Sequence, residues 1–203
     1  MSARIASYLA FWLLLVAAFV GPCGLARAAD LDAPVVLVAT PALSGSVYGE
    51  TVLLAVPLGD GSHFGFILNR PSDSSLAAVF PEDEASRRAN ARVYLGGPVM
   101  VNALFALVRG RKEADQGLIE VAPELFVALR GDAVHRIIAQ RPGDARFFAG
   151  YMGWRPGELA EQIRAGAWAT VTAEADVVLG VDSSDMWNQL APYALGTPVN
   201  FSR

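Results

Sequence analysis

The most informative stretch of this sequence is FAGYMGWRPGEL, residues 148–159. It sets Gly150 and Gly153 among aromatic and apolar residues, and it ends in a proline followed closely by an acidic residue. Glycine lets a backbone turn closely, while a proline and an acidic side chain are typical of the first turn of a helix. The stretch therefore predicts a strand that passes into a helix, with Tyr151 and Trp154 covering the junction.

Short apolar runs bounded by turn residues fill the chain before this stretch, and such runs are typical of buried strands. A Gly-Asp-Gly turn between the second and third runs predicts a hairpin, because glycine tolerates the positive φ that such turns need. The predicted strands cover residues 35–39, 51–56, 64–68, 92–95, 104–108, 118–121, 125–129 and 177–179.

Helical patterns become frequent in the last third of the chain. Asp132 is placed to cap a helix that ends at Pro142. Pro156 is placed to begin a second helix, and Gly166 to stop it.

Two further helical segments complete the predicted elements. A short helical turn is expected over residues 76–80, and a last helix over residues 186–190. Ser183 or Ser184 is expected to cap this last helix, and Pro192 to end it. Strands come first and helices later, so we predict a single-domain α+β fold with a mixed, largely antiparallel sheet.

The start of the chain has the pattern of a targeting segment. Arg4 supplies a positive charge, residues 5–20 carry no charge, and residues 26–28 read Ala-Arg-Ala. That order is typical of a secretory signal peptide. We therefore expect residues 1–28 to be cleaved, leaving residues 29–203 as one domain in the periplasm or outside the cell. The alternative is an uncleaved leader that anchors the domain to the inner membrane.

Composition limits the classes of partner. The 203 residues include 16 basic and 20 acidic side chains, and the only cysteine, Cys23, lies in the predicted leader. A nucleic-acid surface needs clustered cations, but acidic neighbours dilute the basic groups near Arg87 and Arg109. The sequence therefore excludes a disulfide scaffold and argues against a nucleic-acid partner. No membrane partner is expected after cleavage.

The sequence predicts no metal site and no cofactor. Its two histidines, His63 and His135, cannot build a zinc site without retained cysteines or a ligand spacing. His135 is expected on a helix surface, and His63 is expected to be a solvated turn residue. Neither of the glycine-rich nucleotide-binding motifs occurs.

A serine hydrolase is the enzymatic alternative. Residues 45–49 read GSVYG, in which serine stands second and not third, so they do not form the G-x-S-x-G elbow. Ser44 and Ser46 are more simply loop residues between two strands. We assign no catalytic residue, although a hydrolase of an envelope ester or phosphate that uses one of these serines stays open. Such a serine would have to lie within hydrogen-bond reach of His63 or His135.

A set of motifs in fixed order resembles one known family. The motifs are TPAL at 40–43, GFILNRP at 65–71, LGGPV at 95–99 and the stretch 148–159, followed by Ala167-Trp168. Together they resemble the AlgH/YqgE family of bacterial proteins over residues 34–195. The resemblance implies a flattened-barrel-like sheet flanked by helices, no settled activity and no catalytic residues to carry over. A regulatory role in exopolysaccharide expression is attached to one branch, and it transfers poorly to an exported member.

The motif residues also provide a candidate ligand site. A structural interpretation is that they only shape strand ends and the junction before the helix. The functional interpretation is that they line a shared cleft, with Arg70 as the anion anchor and the aromatic side chains as a stacking wall. These candidates are Asn69, Arg70, Gly96, Gly97, Tyr151 and Trp154. We therefore expect a non-enzymatic binding or accessory protein whose partner is an unidentified small molecule or envelope protein.

Overall fold

The computed structural model describes residues 31–110 and 117–196, and the predicted signal peptide lies outside them. The strands within these residues are β1 (Val35–Ala39), β2 (Val52–Pro57), β3 (His63–Ile67), β4 (Pro71–Ser75), β5 (Arg92–Leu95), β6 (Val99–Arg109), β7 (Leu118–Ala122), β8 (Leu125–Ala128), β9 (Ala145–Trp154) and β10 (Trp168–Thr172). The helices are α1 (Leu76–Val79), α2 (Glu84–Ala89), α3 (Gly131–Gln140), α4 (Glu158–Arg164) and α5 (Met186–Ala194). Short 3-10 turns span Pro41–Leu43 and Pro142–Asp144, and a π-helix spans Asp176–Gly180.

The strands form one sheet that curls into a half-barrel within a single domain. Its order is β10-β1-β2-β3-β9-β6-β8-β7, and β5 pairs with β9 while β4 pairs with β5. Only the β5–β9 pairing is parallel among the described strands. The predicted α+β class and the mixed, largely antiparallel sheet are therefore confirmed. β9, which contains the first seven residues of the stretch 148–159, pairs with three other strands and lies at the centre of the sheet.

Most predicted strands are present within a few residues of their expected bounds. The hairpin between β2 and β3 is confirmed by its antiparallel register. The prediction for residues 177–179 is wrong, because they belong to the π-helix and the Val178 amide donates to the Glu174 carbonyl at 3.0 Å. A short apolar run does not distinguish a buried strand from a buried helical turn. β4 and β10 were not predicted, and β4 is too polar to show a strand pattern.

The four predicted helices are confirmed with differences at their ends, whereas α2 was not predicted. Asp132 does not cap α3, since Arg130 precedes the first helical residue and Asp132 lies in the first turn. α4 begins after Gly157, one residue beyond Pro156. α5 begins after Asp185, not after Ser183 or Ser184, and it continues through Pro192. In the described residues no helix has the length and apolar character needed to cross a bilayer.

Three apolar clusters form the core, and each packs against a different helix. α5 packs against the cluster that contains Phe66 and Phe148, and α3 against the cluster that contains Phe147. In the third cluster, Leu159 of α4 contacts a group that includes Trp154. Phe147 and Phe148 are consecutive on β9 and lie in different clusters, because successive side chains of a strand point to opposite faces. β9 is therefore covered on both faces.

Candidate functional site

Asn69 and Arg70 follow β3 and hold the loop that precedes β2. The Asn69 amide group donates through Nδ2 to the Glu50 carbonyl at 2.8 Å and accepts through Oδ1 from the Val52 amide at 2.9 Å. Arg70 donates through Nη2 to the Gly49 carbonyl at 2.7 Å. Both side chains therefore have defined structural partners in this loop.

Replacing Arg70 tests this structural role. Arg70 Nη2 also donates to the hydroxyl of the buried Thr51, at 3.1 Å. Arg70→Ala is therefore expected to lower the free energy of unfolding by about 1–3 kcal/mol, because buried acceptors lose their donor. In the control Arg88→Ala, the removed side chain is 71% exposed, and a change of less than about 0.5 kcal/mol is expected. Urea unfolding measures both, and equal small losses would contradict the structural role.

Gly96 and Gly97 form a close backbone crossing with Gly150. A Cβ added at Gly96 would lie 2.2 Å from the Gly150 carbonyl oxygen, and one at Gly97 would lie 2.3 Å from the Tyr151 carbonyl carbon. Gly150 has φ +72°, and its Cβ would lie 2.4 Å from the Gly97 carbonyl oxygen. The Gly96 amide donates to the Ala149 carbonyl at 2.8 Å. No side chain fits at these three positions, so the close approach of the two backbone segments requires glycine there.

Tyr151 and Trp154 pack into different parts of the core. Tyr151 is half-buried and meets Phe105 edge to face, with ring centroids 5.8 Å apart. Trp154 is buried in the third cluster and donates through Nε1 to Gln162 Oε1 at 3.1 Å, and Trp168 donates to the same oxygen at 2.9 Å. The structure thus brings Tyr151 to the glycine crossing and separates Trp154 from it. Ligand binding by the six predicted residues stays a prediction.

His63 is buried, so the expectation of a solvated turn residue is wrong. Its side chain is 6% exposed, and Nε2 lies 2.9 Å from the Leu31 carbonyl oxygen. The prediction failed because β3 begins one residue earlier than expected, and His63 pairs with Pro57 across the hairpin. His135 lies exposed on α3 as predicted, with Nδ1 3.9 Å from Asp83.

The two candidate serines lie in the loop before β2, where the backbone amide of Ser44 donates to the Pro41 carbonyl at 3.0 Å. Ser46 donates through Oγ to the Leu43 carbonyl at 2.7 Å and accepts from the Tyr48 amide at 3.1 Å. Among residues 31–110 and 117–196, neither Ser44 nor Ser46 is hydrogen-bonded to a histidine. The described residues also gather no group of three or more potential metal ligands. This geometry lends no support to the hydrolase alternative, which stays untested.

A different region of the molecule gathers the chemistry of a binding site. A pocket of about 350 Å³ opens beside β5 and β9, and this volume is within the usual range of small-molecule sites. We call it the arginine pocket. Its lining includes Arg92, Tyr94, Arg109, Asp144, Arg146 and Leu179.

Arg146 supplies a half-buried cation to the arginine pocket. It donates through Nη1 to the Leu68 carbonyl at 3.2 Å and through Nη2 to the Val181 carbonyl at 3.1 Å. Its guanidinium carbon lies 5.1 Å from the centroid of the Tyr94 ring. Burial lowers the pKa of Arg146, whereas Tyr94 and Asp182 raise it. Arginine stays charged at neutral pH, and these two hydrogen bonds use two of its five N–H groups.

Arg109 supplies a second cation, and this one already has acidic partners. Its Nη2 lies 2.6 Å from Asp176 Oδ1, and its Nη1 lies 3.5 Å from a Glu124 carboxylate oxygen. Arg92 adds a third, exposed cation, and Asp144 adds a carboxylate to the lining. Within the described residues neither Arg92 nor Arg146 has a carboxylate oxygen within 4 Å, although the charge of Asp182 acts on Arg146 from farther away.

Arg146 was not predicted from the sequence, although the sequence carries a signal for it. It is the one charged residue in the strand ARFFAGYMGW, and a charge among buried apolar residues usually has a specific partner or role. The three pocket arginines are far apart in sequence, so they form no cluster of cations along the chain. They meet because β5 and β6 both pair with β9.

Comparisons with known proteins agree on one family. A family model described as AlgH-like matches residues 36–197. A UPF0301 protein of Myxococcus xanthus is 30% identical over 159 residues, covering 77% of this chain and 87% of the relative. A UPF0301 protein of Anaeromyxobacter is 34% identical over 168 residues, covering 76% and 84%.

Solved structures share the fold. The solution structure of the AlgH protein from Pseudomonas aeruginosa aligns with a TM-score of 0.68 at 24% identity, over 87% of this chain and 94% of that one. A crystal structure of a Corynebacterium diphtheriae protein aligns with a TM-score of 0.64 at 24% identity, over 82% and 87%. Together with the motifs in their expected order, these similarities show that the chain belongs to the AlgH-like family.

Proposed function

We propose that this chain is an exported, non-enzymatic binding protein that takes a small anion in the arginine pocket. The main support for the proposal is the environment of the Arg146 side chain. Its charge is half-buried in the pocket, and its hydrogen bonds go to carbonyl oxygens and not to a carboxylate. A half-buried guanidinium that is hydrogen-bonded only to carbonyl oxygens among the described residues, with the Asp182 carboxylate near it but not hydrogen-bonded to it, is suited to an anion supplied from solution.

The chemistry of the lining indicates the class of ligand. Guanidinium groups form paired hydrogen bonds with phosphate and carboxylate oxygens. Arg92 and Arg109 bring two further cations to the same pocket. Three arginines against the single carboxylate of Asp144 leave the lining with a net positive charge, and the attraction of this charge for an anion grows with the charge of the anion. A small phosphate ester or polycarboxylate has this chemistry.

Binding can be tested on the protein purified from the cells that produce it. Calorimetric titration with pyrophosphate and with citrate is expected to show saturable binding. Arg146→Lys keeps the charge and loses the planar fork, so we expect a Kd raised about tenfold. Arg92→Ala is expected to weaken binding as well, and Arg88→Ala, on α2 and outside the pocket lining, is expected to leave it unchanged. Equal affinities in all three variants would contradict the proposal.

Export is supported by the sequence of the leader. The order of charge, uncharged apolar run and small residues in residues 1–28 is the pattern of a cleaved signal. The mass of the protein isolated from its own cells is expected to correspond to a chain that begins at Ala29. A mass that includes Met1 would contradict cleavage.

A further inference from the structure

We infer that Asp176 is a built-in competitor for the anion of the arginine pocket. Its carboxylate pairs with Arg109, and an anion bound in the pocket replaces it there. The inference rests on the proposed function and adds how the site is regulated. The segment that carries this carboxylate, residues 176–183, is called the strap below.

The strap contacts three residues that line the pocket. Asp176 Oδ1 lies 2.6 Å from Arg109 Nη2 at the start of the strap. Its middle supplies the carbonyl that accepts from Arg146 at 3.1 Å. Near its end, the Ser183 hydroxyl lies 3.2 Å from the hydroxyl of Tyr94. An anion that binds Arg109 and Arg146 therefore competes with the strap for the N–H groups of these two side chains.

The Asp176–Arg109 pair is suited to exchange. The Asp176 side chain is 86% exposed, so solvent screens the pair and the carboxylate can turn into water at little cost. Arg109 keeps a second acidic neighbour, because Glu124 lies 3.5 Å from its other terminal nitrogen. Losing Asp176 therefore does not leave Arg109 without a counter-charge.

The backbone of the strap is unusual at the same place. Asp176–Gly180 forms a π-helix, a conformation that is rare and concentrated at functional sites. Leu179 of this turn lines the pocket, and Asp176 is its first residue. Release of Asp176 would therefore loosen a wall of the pocket as well as free a cation.

The deciding experiment compares Asp176→Asn with the wild-type protein, using pyrophosphate as the probe. The amide keeps the size of the side chain and removes the competing charge, so the affinity is expected to rise about twofold to fivefold. Glu84→Gln is the matched control, since its carboxylate pairs with Arg88 on α2 and should leave binding unchanged. Unchanged melting temperatures would show that both variants are folded.

The outcomes separate this inference from the proposed function. If Asp176→Asn weakens binding or leaves it unchanged, Asp176 is not a competitor, while the pocket proposal stands on its own variants. If neither the wild type nor Asp176→Asn binds pyrophosphate, both proposals fail. Binding by Asp176→Asn alone would support both.

Hydrogen exchange gives a second, independent measurement. The amide of Val178, inside the π-helix, donates to the carbonyl of Glu174, two residues before the π-helix, at 3.0 Å. Saturating pyrophosphate is expected to speed exchange at this amide in the wild-type protein, because the turn loses the Asp176 contact. Unchanged or slower exchange would overturn the displacement of Asp176.

Discussion

Gly150→Ala is expected to reduce stability by more than about 3 kcal/mol and to lower the yield of folded protein sharply. Gly150 has φ +72°, where a side chain is strained, and its Cβ would lie 2.4 Å from the Gly97 carbonyl oxygen and 2.9 Å from the Val99 carbonyl oxygen. Both neighbours are backbone atoms, so no side chain can move to make room. Urea unfolding, or the soluble yield where the variant does not fold, measures the effect.

Substitutions at two other glycines separate the cost of a positive φ from the cost of a steric clash. Gly157 has φ +80° but nothing within 4 Å of an added Cβ, so Gly157→Ala should cost only about 1 kcal/mol. Gly131, the first residue of α3, has open space and no positive φ, and Gly131→Ala should be close to neutral. If Gly150→Ala lowered the free energy of unfolding no more than Gly157→Ala does, the two backbone segments could not cross as closely as these distances require.

The second large effect is expected at Phe148, whose replacement by alanine should cost about 3–5 kcal/mol. Phe148 is fully buried at the centre of the sheet and stacks on Phe66 with ring centroids 5.0 Å apart. It also contacts Tyr94, with centroids 5.8 Å apart, so it supports the ring beside the Arg146 guanidinium. The loss is therefore expected to reach the pocket as well as the core.

Phe80→Ala is the matched control for this substitution, since the Phe80 side chain is 40% exposed just after α1. The same atoms are removed, but less apolar contact is lost, so a cost of less than about 1.5 kcal/mol is expected. Thermal unfolding of the two variants compares them directly. Similar shifts in melting temperature would show that Phe148 is not a central packing residue.

The glycine crossing and the arginine pocket share the same two strands. Tyr94 and Gly96 lie two residues apart at β5, and Arg146 and Gly150 lie four residues apart on β9. Since β5 and β9 pair in parallel, the close approach at the glycines fixes the positions of the pocket residues. The close approach of the backbone at the glycines therefore also sets the geometry of the arginine pocket.

The parts of the fold that follow local rules were predictable. The passage from β9 to α4 was predicted because glycine, proline and acidic residues act on their immediate neighbours. The ends of α5 were not, because Pro192 continues a helix that the packing of Met186 and Leu190 holds in place. Packing between distant segments is not visible in the spacing of residues along one segment.

The arginine pocket was not predicted, since none of the six candidate site residues is part of its lining. The structure gives the motif glycines and Asn69 a backbone role, as the structural interpretation of the motifs indicates, while ligand binding by them stays a prediction. Arg146 was missed because its partners, Leu68 and Val181, are distant in sequence. His63 was misassigned for a related reason, since the carbonyl that covers it belongs to Leu31 before the first strand.

The arginine pocket is expected to bind a small anion. The most direct test of this claim is a titration of the arginine-labelled protein with pyrophosphate, followed by NMR of the guanidinium Nε–H signals. The signals of Arg92, Arg109 and Arg146 are expected to shift together and saturate, while those of Arg88 and Arg155 stay in place. Shifts spread evenly over all arginines, or no saturation at the pocket arginines, would contradict the claim.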